Sequence, residues 1–405
     1  MKHLAFFEAL ADTPEETPAY RAAVAGLLTL RLVDHWVLAG SVMVEPESVS
    51  IRSVRQAIMA IAANDPQREL LLGLVNTMQT VREVDMQPVL PRLFAYGELL
   101  EKRGVLSLAA DAYASVVCLG ERDYDSELVI DSNMRLGFCR RMLGALSEAE
   151  EAYVAAGKIA KRRNDLARVL HSRIGVAKVA MERGNLPAAD QMLGEVAAEC
   201  ATRGFQAVQA MALHDQAAVA IRRGDHARGV CLAYAALERT DPPAARERVL
   251  HDIAASFVAM GRFSEARTAL LIQEATATSM EMRCAARVNL LSMAAREGDR
   301  EAFAAYEELL KNDALPAEIE VNYLIERARG IRRFGSVSEA EALLRRASSL
   351  ASAHGFSRSV FEAEEMLTES VPSAYRSSGE IPVPEPDPAA HVSAGLRQML
   401  ASLAA

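Results

Sequence analysis

The sequence predicts an all-α solenoid, a stack of helical hairpins that share one elongated core. Three observations predict it. Seven glycines fall on a ruler: Gly104, Gly144, Gly184 and Gly224 lie 40 residues apart, and Gly261, Gly298 and Gly335 continue at 37. The same phrase returns around each of them. Arg140-Arg141-Met142-Leu143-Gly144 leads to Ser147-Glu148-Ala149-Glu150, and Arg332-Arg333-Phe334-Gly335 leads to Ser338-Glu339-Ala340. Finally, the chain is 51% hydrophobic but only 5% aromatic, with Ala, Leu, Glu and Arg prominent, residues that favour helix over sheet. A unit of this length cannot bury its apolar face alone, so repeats of it stack and leave a long concave surface.

The first 87 residues lack the ruler and read as an atypical N-terminal helical cap. A short helix over Leu4–Ala11 stops before Asp12-Thr13-Pro14. A long one runs from Pro18, where proline suits the first turn, to about Met43. Pro46 separates it from a helix over Ser48–Ala63 striped by Ile51, Val54, Ile58 and Ile61. Asn64-Asp65-Pro66 stops that helix, and the next, Gln67 to about Asp85, carries Leu71, Leu74, Val75, Met78 and Val81. The repeats occupy residues 88–355. A capping helix covers 356–370, a segment with Pro372, Pro382, Pro384, Pro386 and Pro388 reads as an extended linker over 371–388, and a short amphipathic helix fills 389–405. That last helix has Val392, Leu396, Met399, Leu400 and Leu403 on one side. It either folds back onto the array or is a tethered docking or self-inhibitory segment that enters a groove.

Within each repeat, glycine closes the first helix because the left-handed backbone costs it little. Ser147, Ser264 and Ser338 are expected to cap the second helix, with nearby Glu at its positive end. Five residues after the glycine stands Ala109, Ala149, Ala189, Ala266 or Ala340; Gly229 is smaller still, and Phe303 departs. Gly97 and Gly137 precede their turns by seven residues, and Tyr113 and Tyr153 follow by nine.

These residues resemble the tetratricopeptide repeat family, over about two-thirds of the chain. The 37–40-residue spacing exceeds the family's usual 34 and is similar to the longer-helix variant of bacterial regulators. The resemblance implies a right-handed superhelix of about seven hairpins whose first helices line a concave groove. It also nominates groove residues: Met134, Arg135, Phe138 and Arg141 in the second repeat, and Ile174 and Lys178 in the third. Further along it nominates His214, Asp215, His251 and Asp252 in the fourth and fifth, and Asn289, Glu326 and Arg329 in the last two. Only Asn289, and Arg135 or Lys178, echo the family's carboxylate clamp for chaperone tails, in scattered repeats, so that clamp is not assigned.

His214-Asp215 and His251-Asp252 occupy equivalent places, ten and nine residues before their glycines, with His171 one turn earlier in its own repeat. They are either a metal or acid–base cluster or repeat-to-repeat polar contacts and groove ligands. There is no HExxH, GxxxxGK[ST], GxGxxG or GxSxG sequence, so no catalytic residue, metal or cofactor is assigned. Paired arginines at 140–141, 162–163, 222–223, 332–333 and 345–346 suit helix C-termini or an anion site. A net charge of −9 argues against a general grip on nucleic acid. Five cysteines, none in a CxxC pair, read as buried free thiols in a reducing compartment. Residues 22–44 are apolar, but Arg31, Asp34 and His35 near the middle read as a soluble amphipathic helix and not a membrane span.

The expectation is a cytoplasmic, non-enzymatic interaction scaffold or adaptor that holds a peptide or protein in its groove. The second reading is a ligand- or peptide-responsive bacterial regulator acting on another protein.

Overall fold

A computed structural model describes residues 2–39, 49–80, 88–120, 127–311, 313–368 and 387–404. Every regular element among them is an α-helix. The N-terminal set is α1 (Leu4–Asp12), α2 (Pro18–Ala39), α3 (Val49–Met59) and α4 (Pro66–Thr80). Seven hairpins follow: α5/α6 (Leu90–Lys102, Leu106–Gly120), α7/α8 (Glu127–Met142, Leu146–Arg162), α9/α10 (Leu166–Glu182, Leu186–Arg203), α11/α12 (Gln206–Arg222, His226–Leu237), α13/α14 (Pro243–Ala259, Phe263–Thr276), α15/α16 (Met280–Glu297, Arg300–Lys311) and α17/α18 (Ala317–Phe334, Val337–Ala353). The chain ends with α19 (Ser357–Thr368) and α20 (Ala390–Ala404). It forms two compact units, Met1–Met192 and Leu193–Ala405, with the division inside α10.

In the first unit, α1 to α4 put one face each into a common core. Phe6, Trp36, Ile51, Val54, Ile58, Leu71, Leu74 and Met78 are buried there together with Tyr96 and Tyr113 of the first hairpin. The α3 stripe is buried as its spacing predicts, although the helix ends at Met59, before Ala63. The expected helix ends at Met43 and Asp85, and Pro46 and Val81, lie outside the described residues. So do Pro372, Pro382, Pro384 and Pro386 of the expected linker.

All seven ruler glycines have positive φ, from +73° to +119°. At Gly144 the turn closes with two backbone bonds, Gly144 N–H to Arg141 O at 3.0 Å and Ala145 N–H to Arg140 O at 2.9 Å. These satisfy carbonyls that a helix end would leave exposed. Left-handed residues also occur between hairpins, at Asn164, Gly204 and Gly355. They escape the ruler because that second turn varies from repeat to repeat.

The serine caps need correction. Only one residue separates the ruler glycine from the next helix, so any capping side chain must come from that residue. Asp225 accepts from Arg228 N–H at 3.1 Å, Asn185 from Ala188 N–H at 3.3 Å, and Asp299 from Ala302 N–H at 2.9 Å. Ser147, Ser264 and Ser338 fall inside the first helical turn instead. The cysteine expectation is also partly overturned: Cys139, Cys200 and Cys284 are buried, but Cys118 is exposed and Cys231 half-buried.

Small residues permit close helix approach as expected. Ala109, Ala149, Ala189, Ala266 and Ala340 are fully buried. Gly97 lies under the Tyr113 ring and Gly137 under the Tyr153 ring, where an added Cβ would sit 2.7 and 2.8 Å from the ring carbons. Phe303, the large residue at the small-residue position, is buried because Gly330 of the next hairpin vacates the space, and its ring meets Phe334 edge-on at 5.3 Å.

Candidate functional site

The predicted groove residues divide between the two units. In the first unit, most of them are already engaged. Arg135 pairs with Glu101 at 2.9 Å, and Glu101 also accepts the Tyr113 hydroxyl at 2.8 Å. Arg141 lies over the Phe138 ring at 5.8 Å and reaches Glu182 at 3.5 Å. Met134 is half-buried between two small apolar clusters, and Lys178 is half-buried on α9. Ile174 is corrected: it is 1% exposed, so it belongs to the core and has no surface for a partner.

In the second unit, His214 of α11 bonds Asp252 of α13 at 2.7 Å. Because the pairs are equivalent in consecutive repeats, the His of one hairpin meets the Asp of the next. This is the repeat-to-repeat contact, and among the described residues no group of three or more His, Cys, Asp and Glu could hold a metal ion. Asp215 is half-buried on the same helix as His214.

The remaining residues converge further along. The first helices of successive hairpins, with α19, line a pocket of about 230 Å³. His251 comes from α13, Asn289 from α15, Glu326 and Asn322 from α17, and Glu362 from α19. Ala285, Val288, Ile319 and Ile325 supply the apolar lining. Three residues nominated from the sequence thus share one cavity, and a fourth braces it. Arg329 donates to Glu326 on its own helix and to Glu362 on α19. Glu326 also accepts the Ser292 hydroxyl of α15 at 2.6 Å. The guanidinium therefore neutralises much of the acidic rim and ties α17 to α19.

Three side chains offer hydrogen-bonding groups to the pocket. His251 Nδ1 is buried with no hydrogen-bond partner among the described residues. The amides of Asn289 and Asn322 each offer two N–H donors and a carbonyl acceptor, and Asn322 is exposed. The sequence reading missed Asn322, Glu362 and Ser292. Asn322 stands one helical turn before Glu326 on the same face, a spacing visible in the sequence. Glu362 had no such signal, because it lies past the last ruler glycine.

The arginine pairs are largely spent on structure. Arg140 pairs with Glu148 at 3.0 Å and Arg346 with Glu320 at 2.6 Å. Arg332 and Arg333 donate to the backbone carbonyls of Met366 and Arg296 at 2.9 and 2.7 Å. No helix among the described residues is long and apolar enough to cross a membrane.

No protein-family model and no curated protein matches the chain. Solved structures do. The apo form of the quorum sensor NprR from B. thuringiensis is similar, with 14% identity over 80% of this chain and 97% of that one, at a TM-score of 0.50. The Rap conjugation gene regulator of the plasmid pLS20, solved in complex with the Phr* peptide, has 12% identity over 84% and 97% of the two chains, at a TM-score of 0.49. A putative kinesin light chain of Podosopora anserina with nearly identical TPR-like repeats has 17% identity over 46% and 94%, at 0.35. The glycine-closed hairpins, their small-residue contacts and the likeness to the quorum sensor agree: in fold, this chain is a tetratricopeptide-type array of helical hairpins.

Proposed function

We propose that this chain is a non-enzymatic scaffold that holds an extended peptide segment against the first-helix face of α13, α15, α17 and α19. One observation carries the reading: the amides of Asn289 and Asn322, from adjacent hairpins, flank a pocket with an apolar lining. An amide side chain both donates and accepts, so it matches a peptide backbone, whose N–H and C=O groups need the same two partners. The apolar lining of Val288, Ile319 and Ile325 suits one aliphatic side chain of the ligand. Rigid helices lose little freedom on binding, which favours affinity.

The test is a peptide-display selection on the intact chain, followed by titration of the selected peptides. N289A/N322A is expected to weaken them by about tenfold or more, since each lost amide bond contributes roughly 1 kcal/mol. Unchanged affinity in that variant refutes the assignment of the site.

A second reading, a ligand-responsive regulator, is favoured by the Arg329 bridge between Glu326 and Glu362 at the pocket rim. A ligand that competes for either carboxylate loosens α19, and α19 then reports occupancy. Hydrogen exchange across 357–368 should quicken on peptide binding; unaltered or slowed exchange favours the plain scaffold.

A further inference from the structure

The C-terminal helix α20 returns to the array far from its own sequence neighbours. It lies against the second helices α12 and α14. Ala389, Val392 and Leu396 are fully buried in the core those helices share with α13. Gly395 passes so close to Tyr234 that an added Cβ would fall 1.9 Å from the hydroxyl. The polar anchor is Arg262, whose side chain is 9% exposed. It donates to both carboxylate oxygens of Asp387 at 2.9 Å and to the Ser393 hydroxyl at 2.8 Å, its Nε donates to Glu265 of α14 at 3.0 Å, and its guanidinium lies over the Phe257 ring at 5.2 Å. Cys231 donates to the carbonyl of Pro388 at 3.3 Å.

The seat is filled most tightly at its N-terminal end. Beyond Leu396 the fit loosens. Met399 and Leu400 are half-buried and Leu403 is 47% exposed. A hollow of about 480 Å³ opens there, lined by Leu400 and Leu403 of α20 with Leu271, Glu274, Ala275, Arg283 and Arg287.

We propose that the cleft between α12 and α14 is a second docking surface, for an amphipathic helix with an acidic residue ahead of its first turn, and that α20 is its resident, displaceable occupant. The chemistry of the fitting partner follows from the seat. It needs a carboxylate for Arg262, a small residue opposite Tyr234, and aliphatic side chains at the Val392 and Leu396 positions. A larger apolar residue near the Leu403 position would fill the hollow that α20 leaves open. Being part of the same chain gives the resident helix an effective concentration on the order of 1 mM. An incoming helix therefore competes against a high but finite barrier, and its C-terminal end has the open hollow as a foothold.

The test uses the full chain carrying V392D/L396D, which alters α20 and leaves the cleft intact. A labelled synthetic peptide of residues 387–404 should bind this variant and bind the unaltered chain about 100-fold more weakly, the ratio of a ~1 mM effective concentration to a dissociation constant of ~10 µM for the separate helix. A peptide with Leu403→Trp should bind more tightly than the parent. Alkylation of Cys231 should quicken in the variant. On the unaltered chain, amides of 390–404 should exchange at least tenfold faster than those of α12 and α14. The proposal falls if the peptide ignores the variant, if it binds both chains equally, or if α20 exchanges no faster than its seat. It also falls if V392D/L396D removes the helices of the second unit, because α20 would then be part of the core.

Discussion

Gly330→Ala is the substitution whose outcome the packing decides most sharply. In an isolated helix the change would stabilise by about 1 kcal/mol, because glycine is the poorer helix former. Here the new Cβ would lie 2.1 Å from Cε2 of Phe303, 2.5 Å from Cζ and 2.9 Å from Cδ2. Carbon atoms attract best at roughly 3.5–4.0 Å, so all three are clashes. The ring has little room to retreat, since it is buried and already meets Phe334 at 5.3 Å. Overpacking of this kind costs about 1–3 kcal/mol. Three contacts this short place the cost in the upper part of that range, about 2–3 kcal/mol, so net of the ~1 kcal/mol propensity gain G330A should destabilise by roughly 1–2 kcal/mol. Phe303→Ala alone should cost about 3–5 kcal/mol through the cavity it leaves. With the ring gone, G330A should become stabilising by about 1 kcal/mol, and its sign should reverse. The assay is urea unfolding of the full chain in a double-mutant cycle, with hydrogen exchange across α16 and α17 to localise the effect. If G330A is neutral or stabilising while Phe303 is present, the account of how the sixth repeat accommodates its phenylalanine is wrong.

Other outcomes follow from single residues. Gly184 has φ +80° and open space around it, so Gly184→Ala should cost only the left-handed penalty of about 1–2 kcal/mol, and Gly184→Asn less, read by thermal melts of the two variants. His3 is buried between Asp111 at 2.9 Å and Asp34 at 3.2 Å. Burial works against its charged form, but the hydrogen bond and charge of Asp111, with Asp34, outweigh it and raise the pKa. Its contribution is therefore complete below the ordinary histidine value and is lost as pH rises through the raised one. Melts followed by the fluorescence of Trp36 should show His3→Gln erasing that pH dependence, and an equal dependence in the variant would exclude this clamp. Among the thiols, exposed Cys118 should alkylate first, whereas burial pushes Cys139 up to about 12 and Cys284 to about 11, so both should wait for unfolding. Mass spectrometry of a timed alkylation decides it.

The two proposed surfaces lie on opposite kinds of helix. The peptide pocket is built by first helices and α19, the α20 seat by second helices, so N289A/N322A and V392D/L396D address them separately.

Local sequence determined the hairpins. Glycine suits the turns inside the hairpins, where φ is positive, and a small residue suits the close approach of the two helices, so both preferences leave a periodic trace: Gly104 to Gly335, Ala109 to Ala340. The repeat also aligned equivalent positions, which is why His251, Asn289 and Glu326 could be nominated for one face before their pocket was seen. Contacts that run against the period left no trace. Tertiary structure alone placed Gly330 beneath Phe303, sent Ile174 into the core, joined Glu362 to Arg329 and seated α20 on Arg262. Each depends on which side chains of distant segments meet, and a pattern of spacing along one chain specifies which face a residue occupies but not what arrives to cover it.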